Sequence, residues 1–226
     1  MKKLFLLTAA IACALTAIAQ QGATNFCNSD EPEWGNSLGK VSFKSTKTWK
    51  IGDQEWSDVV IASACQKTRF DGGSEKNFNA DCRKNDGYGD LFSWCAVVRF
   101  RNQLCPGNWN VPNASDFSKL IKNGNDVIEN SWGISYGGSC RRNGEIVTPA
   151  TGAAAHYWSR DEIPQIEVFD GVRHNRLNYK WVSGEGKYAR YFYFHTMDKK
   201  AGISSGRRNE YFFSDKSRGR MLRCVR

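Results

Sequence analysis

The chain has 226 residues, a formal net charge of +9, 13% aromatic residues with 8 tryptophans among them, and 8 cysteines. So many large rings exclude intrinsic disorder, which comes from a shortage of residues able to bury apolar surface. Beyond the first twenty residues no stretch approaches the roughly 18 apolar residues of a membrane span, so a transmembrane helix is not expected there.

In chain order, Lys2 and Lys3 precede an apolar run that closes on Ala17-Ile18-Ala19, a small-x-small cleavage pattern. Residues 1–19 therefore read as an export signal removed before Gln20. Cys13 lies too deep in the run to serve as a lipoprotein cysteine. Residues 20–39 are polar and turn-rich and read as an irregular lead-in, leaving residues 40–226 as the domain. "KVSFKSTKTWKIGDQEWSDVVIA" alternates apolar and polar residues about Gly52-Asp53, the pattern of a hairpin. Residues 66–89 form a loop rich in Gly, Asn and Asp, with Cys65 and Cys82 at its edges. A disulfide between those two would limit the freedom of a segment with little apolar content.

Within residues 90–100, Leu91, Trp94, Cys95 and Val98 fall at the spacing of a helix with one buried face. A second helix follows in "PNASDFSKLIKNG": Asn113 can cap it, Asp116 sits in its first turn, Phe117, Leu120 and Ile121 form the stripe, and Gly124 stops it. Residues 122–155 carry little periodicity. Strand-like runs then recur, namely "AHYWS", "EVFDGVRHNRLNYKWV", "KYARYFYFHT", "NEYFFS" and "GRMLRCVR". A hairpin, two helices and many strands make an α+β chain.

Removing residues 1–19 leaves seven cysteines, which in an exported chain should be mostly paired. An odd number leaves at least one unpaired, and Cys95, inside the apolar run "LFSWCAVV", is the expected buried thiol. From Lys199 onward nine Lys/Arg stand against two Asp/Glu, a net of +7 (9 − 2) in the last 28 residues. Such a tail attracts anionic partners or forms a solvated surface that keeps the protein in solution, and the second reading is the expected one.

Four ordered motifs resemble the Fibrobacter succinogenes major paralogous domain: "WKIGDQEW", "YGDLFSW" leading into "CPGNWNVPNASDFSKL", "YWS" at 157–159, and the terminal "LRCVR". The match spans roughly residues 40–226. It departs from the family pattern at Asn108, which interrupts a Gly-Trp step, at Val111 in place of Leu and at Phe117 in place of Trp. The resemblance implies a C-type-lectin-like fold, with two helices packed on short mixed or antiparallel strands and long loops, on exported proteins of gut-type Bacteroidetes. It implies adjacent first and last strands, with a disulfide tying the last strand to the end of the first helical region. Cys105 and Cys224 stand at those places. Cys65–Cys82 is then the second expected pair and Cys27–Cys140 the third.

Chemistry is sparse. His156, His174 and His195 lie about twenty residues apart, and no His-x-x-x-His or Cys-x-x-Cys spacing exists, so neither zinc nor any other metal or cofactor is expected. The carboxylate and amide signatures of calcium-dependent lectins are missing too. "GNSLG" and "GISSG" match a hydrolase elbow only in letters, because neither precedes a helical pattern. The contiguous aromatics at 191–194 must alternate into a core, which argues against a nucleic-acid stacking platform. Recognition remains. Residues 160–190 mix Arg, Asn, Tyr and Trp with glycines, the residues of adaptable contact surfaces. By the resemblance, long loops before the last strands form the ligand face. The candidate residues are Arg173, Asn175, Arg176, Asn178, Tyr179 and Trp181, with Arg207 and Arg208 next. The expected function is non-catalytic binding of a glycan or surface protein. The alternatives are an enzyme on a formylglycine-generating-type scaffold and a structural envelope or fimbrial component.

Overall fold

The structure is a computed structural model, and it describes residues 27, 35–74, 77–147, 153–174, 176–184, 186–207 and 215–226. The expected export signal, most of the lead-in, Asn175, Arg208 and all of "NEYFFS" lie outside the described residues. No helix among the described residues is long and apolar enough to cross a membrane.

The architecture is mixed and strand-rich. β1 (Val41–Phe43) pairs with β4 (Val60–Ala62), and the hairpin β2 (Trp49–Ile51)–β3 (Gln54–Trp56) lies between them, turning at Gly52-Asp53. Gly52 supplies the φ of +62° that the turn needs. The loop after Cys65 folds into the short strands β5 (Gly73–Ser74), β6 (Asn77–Phe78) and β7 (Cys82–Arg83) and leads to β8 (Leu91–Phe92).

Four helices follow where two were expected: α1 (Trp94–Arg99), α2 (Arg101–Leu104), α3 (Ala114–Lys122) and α4 (Asn125–Asn130). Leu91 belongs to a strand, paired with Arg83, because Ser93 starts the helix by accepting from the Ala96 amide. Asn113 caps α3 as expected, and Asp116 returns the bond to the Asn113 amide, so both reciprocal hydrogen bonds of a capping box are made. Gly124, at φ +96°, ends that helix and starts α4 directly.

β9 (Ser139–Cys140), β10 (Ile146–Val147) and β16 (Gly219–Arg220) join β7 and β8 in a five-stranded sheet of order β10-β9-β16-β8-β7. β11 (Ala154–Glu162), β14 (Ala189–His195) and β15 (Lys200–Ile203) make a three-stranded sheet. Between them in sequence, β12 (Gln165–Arg173) and β13 (Arg176–Ser183) pair only with each other. Two aromatic clusters fill the interior. In one, Trp56 stacks on Phe117 and Phe117 on Phe192 at centroid distances of 5.3 and 5.1 Å, with Trp132 edge-on to Trp56 at 5.2 Å. The other gathers Phe92, Trp94, Leu104, Trp158 and Leu222.

Residues 221–226 run between these clusters. Ser57 donates its amide to the Cys224 carbonyl at 2.9 Å, Val60 to Leu222 at 2.9 Å, and Glu55 and Arg226 exchange two bonds of 3.0 Å. On the other side Asn110 and Val225 exchange bonds of 2.8 and 2.9 Å. Cys105 joins Cys224 and Cys65 joins Cys82, as expected. The third expectation fails: Cys27 pairs with Cys95, not with Cys140. Cys95 is therefore not the unpaired thiol; among the described residues Cys140 is, and it is buried. Cys27 and Cys95 both border the cluster around Trp94, whereas Cys140 belongs to the cluster around Trp132. Burial pushes the Cys140 thiol up to about 12, and it packs so closely on Gly219 that a Cβ there would collide with its sulfur.

The basic tail is only partly the solvated surface expected of it: Lys199, Lys200, Arg207 and Arg226 are exposed, whereas three of its cations are buried. Lys216, Arg220 and Arg223 are at most 1% exposed. Each lies over aromatic rings: Lys216 on Trp94 at 4.0 Å, Arg220 on Tyr191 at 3.6 Å, and Arg223 on Trp49 and Trp132 at 4.5 and 4.6 Å. A cation facing a ring loses less on leaving water than one facing aliphatic carbon, which lets these tryptophans and tyrosines admit charge.

The two expected disulfides close loops of very different length, 119 and 17 residues in sequence separation. Loop-closure entropy then ranks them: Cys105→Ser/Cys224→Ser should lose about 4–5 kcal/mol and Cys65→Ser/Cys82→Ser about 3 kcal/mol. Urea unfolding of both variants beside the parent checks the order.

Candidate functional site

The candidate residues of 160–190 fall on one element, the β12–β13 hairpin. Its root is held by the Ile163 amide on the Tyr188 carbonyl, Gly184 on Pro164 and Glu167 on Gly206, all at 2.8–2.9 Å. Ile163 and Ile166 are buried there. From Ile166 to Arg173 the strand runs about 23 Å at the usual rise per residue. Arg207 follows Gly206 and is exposed at this root, apart from the tip.

Register sorts the side chains into two faces. Gln165 lies opposite Ser183, Glu167 opposite Trp181, Phe169 opposite Tyr179, Val172 opposite Leu177, and Arg173 opposite Arg176. Between Phe169 and Val172 a bulge places Asp170 and Gly171 against the single residue Asn178, with Gly171 at φ +100°. The extra residue changes parity, so Val172 returns to the side of Phe169. One face therefore carries Phe169, Val172, Leu177, Tyr179 and Trp181 in a row. Phe169, Val172, Leu177 and Trp181 are each at least half exposed. The Phe169 and Tyr179 rings meet edge-on at 6.0 Å.

The other face is charged. Lys180 contacts Asp170 at 2.7 Å and Arg173 reaches the same carboxylate at 3.7 Å. The Lys180 bond holds the Asp170 carboxyl below the usual carboxylate range. At the tip Arg173 and Arg176 stand side by side, both exposed, and His174 takes a φ of +50° to close the turn. Asn178 is half-buried and donates to the Arg176 carbonyl at 3.3 Å.

The structure thus brings together Arg173, Arg176, Asn178, Tyr179 and Trp181, keeps Arg207 at the root, and leaves Asn175 and Arg208 outside the described residues. Sequence reading missed Phe169, Val172 and Leu177. Alternation through "RLNYKWV" puts Leu177, Tyr179 and Trp181 on one face, and pairing across the turn then selects Phe169. Only the bulge hides Val172.

The fold also joins two of the distant histidines. His156 and His195 rings lie 5.9 Å apart on neighbouring strands, beside Tyr191 and Tyr193. No group of three or more metal-ligating side chains occurs among the described residues. Burial, then the charges of Arg220, His195 and Arg218, holds the His156 imidazole well below its usual range. Its Nδ1 is buried without a hydrogen-bond partner among the described residues.

A depressed imidazole stabilises the fold fully above the unfolded value near 6.5 and loses that contribution as the pH falls. Burial raises the Asp81 carboxyl to about 6, so Asp81 works in the opposite sense between its ordinary value of 3.8 and that point. Comparing the parent with His156→Phe isolates the histidine: from pH 6.5 down to 5 the parent should lose stability faster than the variant, read by urea unfolding. At the hairpin, Leu177→Ser and Trp181→Ser should each lose less than about 2 kcal/mol of unfolding free energy, because at least half of each side chain stands in solvent. A larger loss in either would place that residue in the folded interior. No family model, no curated protein and no solved structure matches the chain.

Proposed function

We propose that the chain is an exported, non-catalytic recognition module that binds a partner protein at the cell surface through the β12–β13 hairpin. The row of Phe169, Val172, Leu177, Tyr179 and Trp181 carries this reading. Solvent-facing apolar rows of this size mark contact surfaces. A protein partner fits better than a glycan, since Val172 and Leu177 offer a sugar neither a hydrogen bond nor a flat ring.

Charge selects the partner further. Arg173, Arg176 and Lys180 outnumber Glu167 and Asp170 on the hairpin, and the whole chain carries +9. Two copies would repel at their tips, whereas an acidic rim on a different protein would attract. The resemblance to the Fibrobacter succinogenes major paralogous domain, with its C-type-lectin-like fold, supports a scaffold that presents loops. The signal-like residues 1–19 and three disulfides support export. The cysteines weigh against a thiol-dependent enzyme: six are paired and the Cys140 thiol is buried and raised to about 12.

An array of surface proteins and glycans, probed with the parent, with Leu177→Ser/Trp181→Ser and with Arg173→Ala/Arg176→Ala, tests this. The parent should bind one or more acidic surface proteins. The apolar pair of changes should weaken binding at least about tenfold and the arginine pair should lower its salt sensitivity. Binding to glycans alone, or equal binding by all three, would overturn the assignment.

A further inference from the structure

A cleft of ≈ 350 Å³ opens between the β1–β2 connection, the turn at residues 86–88 and the segment 133–136. That volume is at the small end of ligand sites. Three rings line it, from Trp49, Tyr88 and Tyr136, and Ile134 is its one aliphatic side chain. Tyr88 is 47% exposed and the other two rings are half-buried. Lys44 and Lys47 are exposed along the same cleft.

The walls are fixed from behind. Arg223 underlies Trp49 at 4.5 Å and donates to the carbonyls of Trp132, at 2.7 Å, and of Gly133. Gly133, at φ +59°, lies flat against the indole, where a Cβ would overlap the ring. The Tyr157 hydroxyl accepts from the Ser135 amide at 2.9 Å and donates to the Ser135 carbonyl at 3.0 Å. Ser135 in turn donates its hydroxyl to the Tyr88 carbonyl at 2.7 Å, which ties the exposed ring to the wall. Lys44 is held by the Gly87 carbonyl, and the Lys47 ammonium stands 5.3 Å from the Trp49 ring centre. Asp58 is the cleft's single carboxylate; the Ser45 hydroxyl bonds it at 2.7 Å and Arg223 lies 3.7 Å away. Its charge is thus offset from below, and the two lysines leave the rim positive.

Rigid rings suit the flat, C–H-lined faces of a sugar ring, and tyrosine and tryptophan combine such a face with a polar tip. The hydroxyls of Ser45 and Ser135 and the Asp58 carboxylate can exchange hydrogen bonds with sugar hydroxyls. The ammonium groups take an anion as point charges. We propose that this cleft binds an acidic saccharide, its ring against Tyr88 and Trp49 and its carboxylate or sulfate against Lys44 and Lys47. The site is separate from the hairpin and stands or falls independently of the protein-binding role given to it.

Isothermal titration of the purified protein with oligogalacturonate, chondroitin sulfate hexasaccharide, neutral cellohexaose and poly-glutamate tests the proposal. At least one acidic saccharide should bind, about tenfold or more tighter than cellohexaose, and poly-glutamate should not compete. Preference between the uronate and the sulfated probe identifies the anion. Tyr88→Ala and Lys44→Ala/Lys47→Ala should each weaken binding at least about tenfold, while Lys122→Ala, at an exposed position of α3 that does not line the cleft, should bind like the parent. Thermal midpoints of all variants confirm that they are folded. The proposal is overturned if neither acidic saccharide binds, if cellohexaose or poly-glutamate binds as well, or if Tyr88→Ala binds as tightly as the parent.

Discussion

The guanidinium of Arg223 is the contact on which the other parts converge. It is fully buried, lies between Trp49 and Trp132, donates to two consecutive carbonyls of the segment 132–133 and faces Asp58. An ion this deep costs several kcal/mol to desolvate, and the two carbonyls, the two rings and Asp58 together offset that cost, while its Nε has no hydrogen-bond partner among the described residues. Removing one partner would strand the rest, so Arg223 fixes the β2 strand, the 132–136 segment and Asp58 as one unit. The next residue, Cys224, is bonded to Cys105, so the backbone that carries the ion is tied covalently to the end of α2.

A division of labour follows. Around residues 221–226 the molecule is rings, cations over rings and disulfides, none of it free to adapt. The described backbone bonds from the β12–β13 hairpin to this body lie near its root, and Phe169, Val172, Leu177 and Trp181 face solvent. The aromatic cleft is intermediate: its rings point outward, but their backs rest on Arg223, Gly133 and Tyr157. Binding at such a surface spends little on ordering side chains, which is the usual advantage of a rigid site.

Local chemistry was legible in the sequence where it depends on near neighbours. Asn113 with Asp116 announced a helix start, Gly52-Asp53 a turn, and Cys65 with Cys82 the edges of a closed loop. What failed depends on distant partners. Pairing among Cys27, Cys95 and Cys140 is set by which cluster each joins, and spacing carries no trace of that. The basic tail looked like surface because charge is normally hydrated, and no local pattern reveals that Lys216, Arg220 and Arg223 each meet an aromatic ring from far upstream. At the hairpin, Tyr179 and Trp181 were readable from composition, whereas Val172 was concealed by a bulge that shifts its parity. The cleft was invisible, since Tyr88 and Tyr136 lie far from Trp49 in the chain.

The bonds from residues 222–226 to residues 55–60 have a kinetic side. Those contacts span almost the whole described chain, which places them among the slowest to form. A polypeptide emerging in order from its amino end would hold Trp49, Trp132 and Tyr157 without their cation until Arg223 arrived. Until then Cys105 lacks its partner too, so Cys105 and Cys140 are both thiols open to wrong disulfides.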